Sequence, residues 1–172
     1  DKYGQSFIGT SLLFCVIITI SWLNVKDKLN QKYVNEYEYP VEATKYIKEI
    51  LIPKVGKDNL RLFNEYNYGS YLLLNDVPVF IDSRADLYAP EFNGVKNEDG
   101  EYEGRDIFSD FIDVSNLNYY HEVVFEKYNI NYVILDRATK LNMVLCRDNN
   151  YDVEYIDDNF VIYKRNVNNE DF

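Results

Sequence analysis

Basic residues are scarce: 18 Lys and Arg stand against 29 Asp and Glu, a formal charge of -11 over 172 residues. Nucleic-acid affinity comes largely from clustered Lys and Arg, so no nucleic-acid partner is expected. Seven Gly and two Cys exclude collagen-like, Gly-rich and disulfide-scaffold classes. Cys15 lies in an apolar run and Cys146 far along the chain, which argues against an internal disulfide and against zinc held by thiolates. Phosphate-cradling and nucleophile motifs (GxxxxGKS/T, GxGxxG, GxSxG) are missing. The acidic stretch around Asp99-Gly100 lacks the alternating ligands of a calcium hand, since Val95 would occupy its first position. No metal and no cofactor is expected. The single histidine, His121, sits on a helix-like segment among Tyr119, Tyr120 and Glu122, where a packing or surface role is expected. What is present is apolar and aromatic: 47% hydrophobic, with 17 Tyr and 10 Phe, too much for intrinsic disorder. The chain opens on Asp1, so it is expected to be a piece of a longer polypeptide.

Phe7 to Leu23 reads FIGTSLLFCVIITISWL, without a charge. As a helix it covers about 26 Å, near the lower limit for the hydrocarbon core of a bilayer. Its Thr and Ser hydroxyls can bond back to their own helix, and Trp22 suits a lipid–water boundary. A signal peptide fits poorly, because Asp1-Lys2 and Trp22-Leu23-Asn24 supply neither a basic start nor a small-residue cleavage site. A buried core helix is the competing reading. The expectation is a transmembrane helix over 1–23 that meets membrane lipid through Phe7–Leu23. Lys26, Lys28 and Lys32 follow closely, and the positive-inside tendency would put that flank in the cytoplasm.

Roughly 150 residues remain, one domain's worth. A stalk is expected over 24–39, an α/β domain over 40–165 and a polar tail over 166–172. Pro40 opens a helix over Val41–Ile52 that Pro53 ends. A short strand begins at Arg61-Leu62-Phe63, NEYNYG (64–69) is read as a loop, and Ser70–Leu74 as an apolar turn. Val77–Ile81 reads as a buried strand, and 93–106 as an unstructured surface loop. Helices follow at Ile107–Val114, Leu117–Tyr128 and Lys140–Arg147, with a strand at Tyr132–Leu135. Strands at Tyr151–Ile156 and Phe160–Lys164 flank Asp157-Asp158-Asn159, good turn chemistry for a hairpin. The alternation predicts a small, mostly parallel sheet of three parallel strands with flanking helices and a C-terminal antiparallel hairpin.

In such sheets ligands gather beyond the carboxyl ends of strands. Asp82, Arg84 and Asp86 fall there after Val79-Phe80-Ile81; they suit either a binding site for an anionic or polyhydroxyl group or an internal ion-pair network. Asn64, Tyr66, Asn67 and Tyr68 follow the preceding strand and carry groups suited to sugars, while Gly69 permits a backbone that a side chain would forbid. Asp136-Arg137 repeats the strand-then-Asp-Arg arrangement, so a shared site with Asp82 and Arg84 is one expectation.

The order of segments is familiar: an apolar helix, a helix opened by Pro40, LFNEYNYGSYLL, VPVFIDSRADLY, EKYNINYVILDR and a hairpin ending in VIYKR. It resembles the C-terminal soluble region of polytopic bacterial membrane proteins related to lipid-linked-sugar glycosyltransferases, the mannosyltransferase-like and oligosaccharyltransferase-like groups. An Asn-x-Tyr-x-x-Gly-x-Tyr-Leu segment there precedes a Phe-Ile-Asp-x-Arg segment, matched here by Asn64, Tyr66, Gly69, Tyr71 and Leu72, and by Phe80, Ile81, Asp82 and Arg84. The tryptophan often seen before the glycine is Tyr68 in this chain. The resemblance implies a bacterial cell-membrane protein whose soluble domain faces away from the cytoplasm and assists recognition of an acceptor, a glycan or a lipid-linked sugar. It implies no catalysis by this region, because the transferring acids of such enzymes lie in earlier loops. The alternatives are a single-pass anchored binding or scaffold module and an anchored hydrolase using Asp82 and Asp86.

Overall fold

The structure is a computed structural model that describes residues 2–29, 34–103 and 106–166. Residues 30–33, within the expected stalk, and 167–172, the expected tail, lie outside the described residues. The chain divides into two units, Asp1–Asn35 and Glu36–Phe172.

The first unit is α1 (Lys2–Leu29). It runs past Leu23 into the expected stalk, since nothing in Asn24–Leu29 breaks a helix. Its Gly9–Lys26 window, of mean hydropathy 1.5, is long and apolar enough to cross a membrane, and none of it is buried. Leu12, Phe14, Ile17 and Trp22 are all exposed. Thr19 Oγ1 donates to the Cys15 carbonyl at 2.8 Å and Asn24 Nδ2 to that of Ile20 at 3.0 Å, so these polar groups are satisfied within the helix.

The second unit is a mixed α/β sandwich. Its helical segment from 41 to 55 comprises α2 (Val41–Tyr46), a π turn (Ile47–Leu51) and α3 (Ile52–Val55). Pro53 therefore does not stop the helix at Ile52; the wider turn just before it relieves the clash a proline ring makes with the preceding turn. After β1 (Leu62–Phe63) comes α4 (Tyr66–Leu74), which replaces the loop and apolar turn expected there. Then come α5 (Pro90–Asn93), the short strands β2 (Val95–Lys96) and β3 (Tyr102–Glu103), α6 (Ile107–Asn116) and α7 (His121–Lys127). The chain continues through β4 (Tyr132–Asp136), α8 (Lys140–Leu145), β5 (Tyr151–Ile156) and β6 (Phe160–Arg165). Leu117, at φ 60°, ends α6 in the left-handed conformation, which splits what reads as helix from Leu117 onward. Of the 93–106 stretch, residues 104 and 105 lie outside the described residues, and the part up to 103 is not structureless: β2 and β3 pair antiparallel around a turn with Gly100 at φ 83°.

The main sheet has the order β1-β4-β6-β5. Only β1 and β4 are parallel; β4–β6 and β5–β6 are antiparallel. The expectation of a mostly parallel sheet is thus corrected to a mixed one, and the cause is the absence of a strand at 77–81. Central strand β4 is buried on both faces, as its continuous YVIL run requires. Val133 and Leu135 join a core with Phe63, Phe111, Phe125 and Val161. Tyr132 and Ile134 join the opposite core with Ile47, Leu51, Leu72 and Ile162.

A cleft at the carboxyl ends of β1 and β4

Asn64 explains why Val77–Ile81 pairs with no strand. Fully buried, its Oδ1 accepts from Phe80 N at 2.7 Å and its Nδ2 donates to the Ile81 carbonyl at 2.8 Å. One amide side chain supplies the donor and acceptor that a neighbouring strand would offer, so the segment stays extended beside the sheet without joining it. Gly69 completes the lock from inside α4. A Cβ there would collide with the Ile81 carbonyl oxygen and come within 2.8 Å of Asp82 Cα. The glycine is needed for close approach rather than for a special backbone angle.

Asp82 emerges from this lock fully buried. Arg84 grips it: Nε donates to Oδ1 at 3.0 Å, Nη2 to Oδ2 at 2.5 Å, and the Arg84 backbone N–H to Oδ1 at 2.9 Å. The guanidinium, with the Arg84 N–H and the Tyr88 hydroxyl, holds the carboxyl down at about 2, against the opposing effect of burial. A carboxylate so held gives up no proton near neutrality, and exposed Asp86 has no ion-pair partner among the described residues. Asp82 is thus occupied as the partner of Arg84 rather than presented to a substrate as an acid. The Asp82–Arg84 pair pins the loop. Tyr66 ties down the same segment, donating from its hydroxyl to the Ser83 carbonyl at 3.0 Å.

Asp136 and Arg137 belong to a different network. Arg137 Nη1 donates to the carbonyls of Asp157 and Asp158, at 2.8 and 3.2 Å, and so braces the β5–β6 turn. Asp136 Oδ1 accepts from Ala138 N at 2.7 Å, while the Asp136 N–H donates to Glu65 Oε2 at 3.0 Å. The structure thus joins Asn64, Tyr66, Asp82 and Arg84 on one side and Tyr68 and Asp136 on the other.

Between the ends of β1 and β4 lies a cleft of about 360 Å³. Its aromatic walls are Tyr37, Tyr39, Tyr68 and Phe160; its polar groups include Glu38, Glu65, Asn67, Asp136 and Thr139. The Tyr68 hydroxyl donates to the Ile134 carbonyl at 2.8 Å, which fixes its ring against Phe160, 5.5 Å away and edge-on. Burial pushes the Glu65 carboxyl above its ordinary value, opposed by the hydrogen bond from the Asp136 N–H. Glu65 is the residue that the sequence reading passes over. The available signal is its position two places after β1, where a parallel strand delivers its chain to a ligand edge. Among the described residues three carboxyl groups and no cation line the cleft, which repels anions and offers acceptors to hydroxyl or amino groups. Compared with protein-family models, curated protein sequences and solved structures, the chain matches none.

Proposed function

We propose that the chain is a membrane-anchored, non-catalytic recognition domain whose Glu65–Asp136 cleft binds a glycan or the sugar of a lipid-linked glycan. In this reading α1 is the anchor, and the domain works outside the cytoplasm as the C-terminal part of a bacterial glycosyltransferase-like membrane protein. The supporting observation is the composition of the cleft. Tyr37 and Tyr39 offer flat apolar faces to sugar C–H groups, while Glu65, Asn67, Asp136 and Thr139 offer hydrogen bonds to hydroxyls. An exposed apolar helix and an acidic domain in one chain fit tethering at a membrane without flat adsorption to its anionic face.

The test is binding of the full chain in lipid nanodiscs to an array of neutral and amino-sugar oligosaccharides. Glu65→Gln keeps the shape and removes the charge, and should weaken the best binder by about tenfold, the value of one hydrogen bond to a charged group. Arg84→Ala, at a residue that does not line the cleft, should leave that affinity alone. Equal affinities for wild type and Glu65→Gln would count against the cleft. The reading frame upstream of Asp1 tests the polytopic part, which requires further apolar helices there.

A further inference from the structure

His121 and Glu122 open α7, and Asp148 lies in the turn between α8 and β5. His121 is only 4% exposed, packed among the rings of Tyr120, Phe125 and Tyr151 at centroid distances of 5.1, 5.6 and 5.9 Å. Its Nε2 is buried with no hydrogen-bond partner among the described residues. A buried polar atom left in that state is costly and rare. That nitrogen lies 3.5 Å from Glu122 Oε1, and one ligand atom each from His121, Glu122 and Asp148 all fall within 4.8 Å of one another.

The charges around the imidazole are unbalanced in the same direction. Arg165 donates from Nε to Glu122 Oε2 at 2.8 Å and reaches Glu126 at 3.4 Å. Next to the imidazole itself the Glu122 and Asp148 carboxylates face the one guanidinium of Arg165, an excess of one negative charge. An imidazole nitrogen without a hydrogen-bond partner beside carboxylates is the donor set of a borderline divalent cation.

We propose that His121 Nε2, Glu122 Oε1 and a carboxylate oxygen of Asp148 form a binding site for a divalent transition-metal cation of the zinc class. One nitrogen and two oxygens make three protein ligands, leaving room for water at the remaining positions. Surrounding groups orient the ligands. Arg165 holds the Glu122 carboxylate through Oε2 and leaves Oε1 toward the imidazole, and the Tyr151 hydroxyl also donates to Oε1. Asp148 Oδ1 is fixed by Asn150 N at 2.9 Å. Such partners set the direction of a carboxylate and are part of a working site. The imidazole selects against magnesium and calcium, which prefer all-oxygen shells. A bound ion would join the start of α7 to the turn that leads into β5.

The experiment uses the full chain in detergent micelles, without a polyhistidine tag and stripped by chelator. Zinc is titrated by calorimetry and retained metal is measured after dialysis. The expected result is about one zinc per chain, a raised melting temperature in zinc and no response to magnesium. Cobalt in place of zinc should give visible d–d absorption. His121→Gln and Asp148→Asn should each weaken zinc binding by at least about tenfold. Should His121→Gln fail to fold, half-buried Asp148 supplies the second variant, with circular dichroism to confirm its fold. Glu65→Gln should bind zinc as wild type does, which separates this site from the cleft. Zinc lost on dialysis, or bound unchanged by Asp148→Asn, overturns the proposal.

Discussion

At the scale of single residues, two side chains of the Asn64–Asp82 lock make opposite demands on solvent conditions and on volume. Asp82 is depressed to about 2 from an ordinary 3.8, chiefly by Arg84. A carboxyl depressed in the folded state lends stability that is complete above its unfolded value and lost as pH falls through the folded one. The Asp82 contribution is therefore present from about pH 4 upward and disappears between 4 and 2. Asp82→Asn should flatten the fall in stability over that interval, as read by urea unfolding at a series of pH values; an unchanged acid limb would show that Arg84 holds nothing. Gly69→Ala sets two effects against each other. Alanine improves helix propensity by about 1 kcal/mol, but its Cβ would meet the backbone of Ile81 and Asp82, and overpacking typically costs about 1–3 kcal/mol. The collision is with backbone rather than a flexible side chain, so a net loss of about 2 kcal/mol is expected in the same assay. Glu65 contrasts with Asp82: burial raises its carboxyl, so its ionised form opposes folding near neutral pH. A charge kept at some cost in stability within a cleft is consistent with a binding role.

At the scale of elements, legibility follows the range of the interactions that decide each one. The C-terminal hairpin is readable because its turn is local: Asp157 Oδ1 accepts from Asn159 N at 2.9 Å and Phe160 N at 2.7 Å, and Oδ2 accepts from the Tyr155 hydroxyl at 2.8 Å. Asp157→Ala should cost about 1–2 kcal/mol in chemical denaturation, with most of the helical signal retained up to the shifted midpoint; no loss would mean that the strand register alone sets the turn. Strand β4 is readable from its β-branched and aromatic run, and α8 from its spacing. Val77–Ile81 is not readable, because its composition is that of a strand while its partner is a single side chain 17 residues away. Once that segment is misplaced, the sheet is counted with one parallel strand too many. The α4 helix is hidden for a related reason: a Tyr-Asn-Tyr-Gly start has turn chemistry, and only the close approach of Gly69 to Asp82 shows why a glycine lies inside a helix. The candidate site is legible to the same extent. Asp136 lines the cleft as a strand-end residue should, and Tyr68 joins it from α4, whereas Asp82 and Arg84 have site-like chemistry but are occupied with each other.

At the scale of the whole molecule, the two units suggest different surroundings. The Gly9–Lys26 helix leaves its apolar side chains uncovered, and the remaining chain is an acidic sandwich with two cores. Lys26, Lys28 and Lys32, after the apolar run, favour a cytoplasmic flank, while the resemblance would imply a domain outside. Cys146 is exposed and free, so the chain carries its own probe once Cys15 is changed to Ser. In intact cells a membrane-impermeant maleimide should label Cys146 if the domain is extracytoplasmic. Labelling only after lysis would reverse the orientation and support the lysine flank.

The central claim, that the cleft between β1 and β4 is a recognition surface, is tested most directly by backbone amide NMR of the nanodisc-embedded chain titrated with its best-binding oligosaccharide. Shift changes should cluster at Glu65, Asn67, Asp136 and Thr139, and be small in the 93–103 hairpin and at Arg84. Saturable shifts centred on those latter residues, or none with any sugar tested, would contradict it.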